Sequence, residues 1–150
     1  MILALDMASR TGWALVQDGK VIESGIVDFS KRRGESNGLM FLRFRKWLQE
    51  ITRMSQVRLI AYELAHFRGG AATEICVGLQ TRAQEMAAEL GIESAPVASS
   101  TLKKFATGTG RAGKDEMIEK AAKVIGRRPI DDNEADAVLV GLWAESEYAV

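Results

Sequence analysis

Three carboxylates stand where apolar stretches end. Asp6 follows the run Met1 to Leu5, Glu63 closes the run Val57 to Tyr62, and Asp136 lies in Asp-Asp-Asn-Glu-Ala-Asp-Ala-Val, the acidic opening of the last helical stretch. Oxygen donors of this kind suit hard cations such as Mg²⁺ or Mn²⁺. Two such ions held about 4 Å apart activate an attacking water and stabilise the leaving oxygen of a phosphodiester. Each acid alone also has an ordinary explanation: Asp6 as a turn former, Glu63 as a solvated strand end, and the 131–136 run as capping that complements a helix dipole. Glu63 resists that explanation most, because a buried central strand rarely ends on an acid without a partner or a metal.

A second group could hold phosphate. Gly108, Gly110 and Gly113 let backbone amides approach an anion closely, and Lys103, Lys104, Arg111 and Lys114 surround them. Such a loop can also be no more than a turn. Lys114 could further approach a scissile phosphate and offset developing charge. His66, the only histidine, follows Glu63 by three residues and could move protons or position water, or serve merely as a loop residue. Phe67 could stack on a base or wedge into branched nucleic acid, or pack locally. No His or second Cys stands at ligand spacing to suggest zinc, and the lone Cys76 between Ile75 and Val77 reads as a core thiol in a reducing cytoplasm.

The formal net charge of zero conceals segregation. Residues 31–58 carry eight basic side chains against Glu35 and Glu50, a net +6. Residues 99–130 carry eight against Asp115, Glu116 and Glu119, a net +5, whereas 131–150 hold six acids and no base. Basic blocks beside an acidic cluster suit a protein that attracts phosphates and holds divalent cations, although solvated helix faces of opposite sign give the same pattern.

These residues need a scaffold. At 150 residues and 47% hydrophobic, residues 1–150 are expected to form one domain with a proper core. The absence of a basic leader and of a long apolar stretch leads us to expect a cytoplasmic protein, neither exported nor membrane-spanning. Met1–Leu5, Gly12–Val16 and Val21–Phe29 read as strands, the last two joined by a turn at Asp18-Gly19-Lys20. From Glu35, Met40, Phe44, Trp47 and Ile51 recur at helical spacing, with Arg43, Arg45, Lys46 and Arg53 predicting a basic outer face. Val57–Tyr62 is a fourth strand. A helix marked by Ile75, Leu79, Met86 and Leu90 ends at Gly91, and Ile92–Val97 is a fifth strand. Ser99-Ser100-Thr101 offers N-caps for a short helix ending near Gly108, Asp115–Ile125 is another helix stopped by Gly126 and Pro129, and the last starts among Asp131, Asp132 and Asn133 and runs to about Tyr148. This order predicts an α/β fold, a five-stranded mixed sheet in which an antiparallel hairpin joins parallel strands, with helices on both faces: the RNase H-like layout. The first and fourth strands are neighbours there, so Asp6 and Glu63 can converge where the final helix brings Asp136.

The motifs add a resemblance that runs the length of the chain. Leu-Ala-Leu-Asp-Met-Ala-Ser-Arg-Thr-Gly-Trp-Ala resembles the first strand and turn of the RuvC family of Holliday-junction resolvases, Ala61-Tyr62-Glu63 is similar to its fourth-strand motif, and Lys103 to Lys114 is similar to its junction-contacting segment. Glu-Ala-Asp136-Ala closes the chain as the family's last helix does. The resemblance implies an endonuclease that cuts four-way DNA junctions using two Mg²⁺ ions per site, for which Mn²⁺ may substitute, leaving 5′-phosphate and 3′-hydroxyl ends. It implies Asp6, Glu63 and Asp136 as metal ligands, and a homodimer suited to the two-fold symmetry of a junction. Cellular members of the family carry an acid or histidine three residues before the final Asp, and here that place holds Asn133, with Asp132 one residue earlier. If the last helix begins at Asp131, then Asp132 and Asp136 share one face and both can serve. If it begins later, Asp132 is a cap and Asn133 offers a neutral oxygen.

Other classes are weighed by the same residues. One fold hosts many nucleases, so flaps, forks or RNA-containing hybrids are alternative substrates. An actin-like kinase also opens with an Asp after its first strand but needs two such domains. A catalytically dead junction-binding module has no use for all three acids.

Overall fold

The computed structural model describes residues 1–66 and 69–148. Its elements are β1 (Ile2–Asp6), β2 (Arg10–Gln17), β3 (Lys20–Asp28), α1 (Asn37–Met54), β4 (Leu59–Glu63), α2 (Gly70–Leu90), β5 (Glu93–Val97), α3 (Ser99–Thr107), α4 (Lys114–Ile125) and α5 (Asp132–Tyr148). Among the described residues, no helix is long and apolar enough to cross a membrane.

The sheet order is β3-β2-β1-β4-β5. β1 pairs antiparallel with β2 and parallel with β4, β2 pairs antiparallel with β3, and β4 parallel with β5. The two-residue turn at Asp18 (φ 53) and Gly19 (φ 75) puts both positions in the left-handed region, where a right-twisted hairpin needs them. This arrangement gathers chemistry at one edge of the sheet. Asp6 lies opposite Gly12, Arg10 opposite Asp28, and Glu63 opposite Val97, so the C-terminal ends of β1, β3, β4 and β5 meet the start of β2.

Alternate residues of the strands serve two cores. Ile2, Ala4, Val16, Leu59 and Ala61 pack with Leu102 of α3, Met117 of α4 and Val138 of α5. Leu3, Leu5, Leu15, Ile60 and Tyr62 pack with Met40, Phe44 and Leu48 of α1 and with Leu79 and Met86 of α2. Burial on both faces explains why these strands read as unbroken apolar runs instead of alternating ones. Each fully buried Leu or Ile contributes about 1.5–3 kcal/mol.

Helix ends follow the expected glycines: Gly91, Gly108 and Gly126 are left-handed C-caps at φ 66, 89 and 73. Several boundaries differ from the pattern. α1 starts after Ser36, whose hydroxyl accepts the Leu39 N–H at 3.2 Å, leaving Glu35 outside the helix. The residue capping α3 is Ala98, so Ser99, Ser100 and Thr101 form the first turn and their hydroxyls are released from capping. Val57 precedes β4 and instead donates its N–H to the Thr52 carbonyl at 3.1 Å. The basic face of α1 is also less basic than its composition: Arg43 grips Glu35 with both arms, and Arg45 reaches α2 at Glu85 (2.6 Å) and Glu89 (3.1 Å).

Candidate active site

Asp6 ends β1 and Glu63 ends β4, two adjacent parallel strands, while Asp136 descends on them from α5. One carboxylate oxygen from each lies within 4.8 Å of the others, and all three side chains are partly buried. The three acids named from sequence therefore converge, in a cleft of about 470 Å³ that Lys103, Lys114 and Asp132 also line.

The first turn of α5 is set by a contact between backbones. A Cβ on Gly12 would stand 2.0 Å from the Asn133 carbonyl oxygen, so only glycine lets β2 and the helix approach this closely. Asp131 caps the helix: its carboxylate accepts the Glu134 N–H at 3.0 Å, and its carbonyl accepts that of Ala135 at 3.3 Å. Asp132 is thus helical, four residues from Asp136 and on the same side, and the arrangement in which it caps a later-starting helix does not occur. Its Oδ2 lies 3.4 Å from Lys114 Nζ. The Asn133 side-chain amide donates to the Arg10 carbonyl at 2.7 Å, fastening α5 to β2.

Crowding acids into a cleft raises their affinity for protons. Burial, then the charge of Glu63, Asp136, Asp132 and Asp131, holds Asp6 well above the carboxylate range. Asp136 is pushed up to about 7, first by burial and then by Glu63 and Asp132. Glu63 is raised by burial, opposed by a hydrogen bond from the Ser99 hydroxyl and by the charges of His66 and Lys103. His66 Nε2 is 3.8 Å from Glu63 Oε1 and more than half exposed. A cluster of hard anionic oxygens whose repulsion is only partly offset by one lysine fits a divalent cation, which would supply the missing positive charge.

The residues assigned to phosphate divide. Lys103 and Lys114 line the cleft, and Lys103 faces the acids closely enough to lower Glu63 and Asp136. Lys104 and Arg111 are exposed outside its lining. Of Gly108, Gly110 and Gly113, Gly108 alone has a left-handed φ, required by the end of α3. Phe67 lies outside the described residues.

Sequence reading missed Ser99, whose position two residues beyond the Val97 partner of Glu63 follows from the strand register. It also missed Glu134, fully buried and satisfied by Ser24 Oγ (2.7 Å), the Ile130 N–H (2.6 Å) and both arms of Arg127. A glutamate on the same helical stripe as Val138 was the available signal.

No protein-family model matches the chain, and no curated protein sequence matches it. Solved structures do. The chain is similar to RuvC of Thermus thermophilus, with a TM-score of 0.78 and 16% identity over 99% of this chain and 94% of that one. The same protein in complex with a Holliday junction substrate gives a TM-score of 0.81 at 18% identity, covering 99% and 93% of the two chains. A fowlpox virus resolvase in complex with its substrate Holliday junction DNA gives 0.61 at 13% identity, covering 97% and 99%. These likenesses establish the fold, the five-stranded mixed sheet of RuvC and the RNase H-like proteins.

Proposed function

We propose that residues 1–150 act as a divalent-metal-dependent endonuclease that resolves four-way DNA junctions. The observation that carries this reading is the meeting of Asp6, Glu63 and Asp136 oxygens within 4.8 Å in a lysine-flanked cleft. The similar proteins solved with Holliday junction DNA support the choice of substrate.

Asp6, Glu63 and Asp136 would hold Mg²⁺ or Mn²⁺, two ions per site, and Asp132 supplies the additional carboxylate. Asn133 is the weaker candidate, because it offers only a neutral amide oxygen and its NH2 group is held by the Arg10 carbonyl. Bound cations would supply Lewis acidity at the phosphodiester. Lys103 and Lys114 draw the phosphate into the cleft and offset negative charge as it builds. Ser99 and His66 orient the Glu63 carboxylate. Water attacks phosphorus in line, the bond to the 3′ oxygen breaks, and that oxygen takes up a proton, so the ends are a 5′-phosphate and a 3′-hydroxyl. A homodimer would place two such sites on either side of the two-fold axis of a junction, related by it.

The test is incubation with a mobile four-way junction and a matched linear duplex, with and without Mg²⁺ or Mn²⁺. Ligatable nicks confined to the junction and dependent on metal are expected. Equal cutting of linear duplex overturns the resolvase reading, and preferential cutting of flaps or forks assigns the site to another branched substrate.

A further inference from the structure

The connection between β3 and α1 is built to present positive charge. Phe29 is buried and its N–H donates to the Ser9 carbonyl at 2.7 Å, while the Ser30 N–H donates to Asp28 Oδ1 at 2.9 Å. At the other end Glu35 closes a turn through Gly34 (φ 84), accepting the Arg32 N–H at 2.7 Å and exchanging a 3.0 Å bond back from its own N–H to the Arg32 carbonyl. The only acid of this loop is engaged by Arg43, whose guanidinium holds the Glu35 carboxyl down at about 2. Lys31, Arg32 and Arg33 project between these anchors. All three are exposed, and among the described residues none of their side chains lies within ion-pair distance of an acid.

The position of the loop gives these charges a direction. It leaves the C-terminal end of β3, the same sheet edge at which Asp6 and Glu63 end their strands. Two strand spacings separate β3 from β1, about 10 Å. That is roughly the rise of three nucleotides along one DNA strand. Lys103 and Lys114 come from α3, which follows β5, and from α4, and both line the cleft that holds the acids.

We infer that Lys31, Arg32 and Arg33 form a second phosphate-contacting element, which grips the backbone of a DNA arm as it leaves the acid cluster across β2 and β3. The inference rests on the function proposed above. Three consecutive cations on a pinned turn match a chain of regularly spaced phosphates, and adding them to the lysines that line the cleft extends the grip on DNA beyond a site that by itself repels it.

The test is binding of a four-way junction in Ca²⁺ across about 50 to 200 mM salt. The combined variant Lys31→Ala, Arg32→Ala, Arg33→Ala should lose at least tenfold in affinity at the lowest salt, and its salt slope should flatten by about 2 to 3 units, near one per lost phosphate contact. The control is Lys20→Ala, Arg53→Ala, Arg58→Ala, which removes the same charge from exposed positions at the opposite sheet edge and should leave the slope within half a unit. Where the triple loop variant melts lower than the parent, the three single substitutions decide, each expected to flatten the slope by about one unit. An unchanged slope in the loop variants overturns the inference, as does equal loss in the control, which would reduce the effect to net charge. Failure of the unsubstituted protein to bind the junction overturns the function proposed above and this element with it.

Discussion

Glu134 has no exposed surface, and the guanidinium of Arg127 holds it with both arms, Nη1 at 3.1 Å from Oε1 and Nη2 at 2.6 Å from Oε2. Arg127 precedes the bend between α4 and α5, and Ser24, which also reaches the carboxylate, belongs to β3. One buried anion therefore ties β3 and the α4–α5 connection to the helical turn that carries Asp132 and Asp136.

Arg127→Met should cost about 2–3 kcal/mol in urea unfolding, less than for a wholly buried pair, because Arg127 is half exposed and two other donors remain on Glu134. A loss below about 0.5 kcal/mol would show that the pair behaves as a surface ion pair.

Gly12→Ala forces a methyl group onto the Asn133 carbonyl, a backbone atom that no rotamer change can move aside. A loss of at least about 2 kcal/mol is expected, with junction cutting reduced further than stability explains. A variant with the parent's melting temperature and rate would mean that α5 is free to shift.

Asp132→Asn should weaken Mn²⁺ binding and nicking by roughly tenfold or more, since it removes a carboxylate beside Asp6 and Asp136. Asn133→Ala should leave metal affinity nearly unchanged and lower stability by about 1 kcal/mol through the lost bond to Arg10. A Mn²⁺ titration of both variants, followed by electron paramagnetic resonance, separates the roles, and the reverse outcome gives the position to Asn133.

Asp6→Asn and Glu63→Gln should each lower nicking by roughly two to three orders of magnitude while junction binding is kept or tightened, because each removes a ligand and a negative charge near phosphate. Either variant cutting at the parent's rate would put the chemistry elsewhere.

Without metal, stability should fall as pH rises. Asp6 and Asp136 bind protons more tightly when folded, Asp136 up to about 7 against an ordinary 3.8, so the folded state gains from protonation and loses that gain between about pH 4 and 7. Glu35 and Glu134 are shifted the other way, and their contributions fade only below the ordinary glutamate range near 4.5. Melting temperature in chelator should therefore be higher at pH 5.5 than at pH 8, and added Mg²⁺ should raise it more at pH 8. A flat profile with no Mg²⁺ effect would show that the acids neither repel one another nor bind the ion.

The strands and the three acids were legible because they depend on local pattern. An apolar run ending on Asp6 or Glu63 is a strand buried on both faces that emerges at an edge, and Gly91, Gly108 and Gly126 mark helix ends through their own backbone preference. What escaped notice depends on pairs far apart in sequence. Glu134 meets Ser24 across 110 positions, and Asn133 reaches Arg10 across 123. The basic character of α1 was overread for the same reason, since Arg45 finds its acids on α2, 40 and 44 residues away. Ser99 reads as a cap because hydroxyls before a helix usually are, yet Ala98 occupies that place, and Ser99 instead sits close enough to Glu63 to lower its proton affinity.

β1 lies in the middle of the sheet order, bonded on both sides and covered on both faces. Amides of such a strand are expected to exchange with solvent only through near-global opening, so Asp6 is mounted on a well-braced strand, beside Glu63 and beneath a tightly seated α5. A platform this stiff does not mould itself to its ligand. On the function proposed above, the deformation required to seat a scissile phosphate would come from the nucleic acid, at an energetic cost that depends on how easily the DNA distorts. An unstacked branch point distorts more cheaply than a continuous duplex, so on that function rigidity itself would be a source of substrate selection.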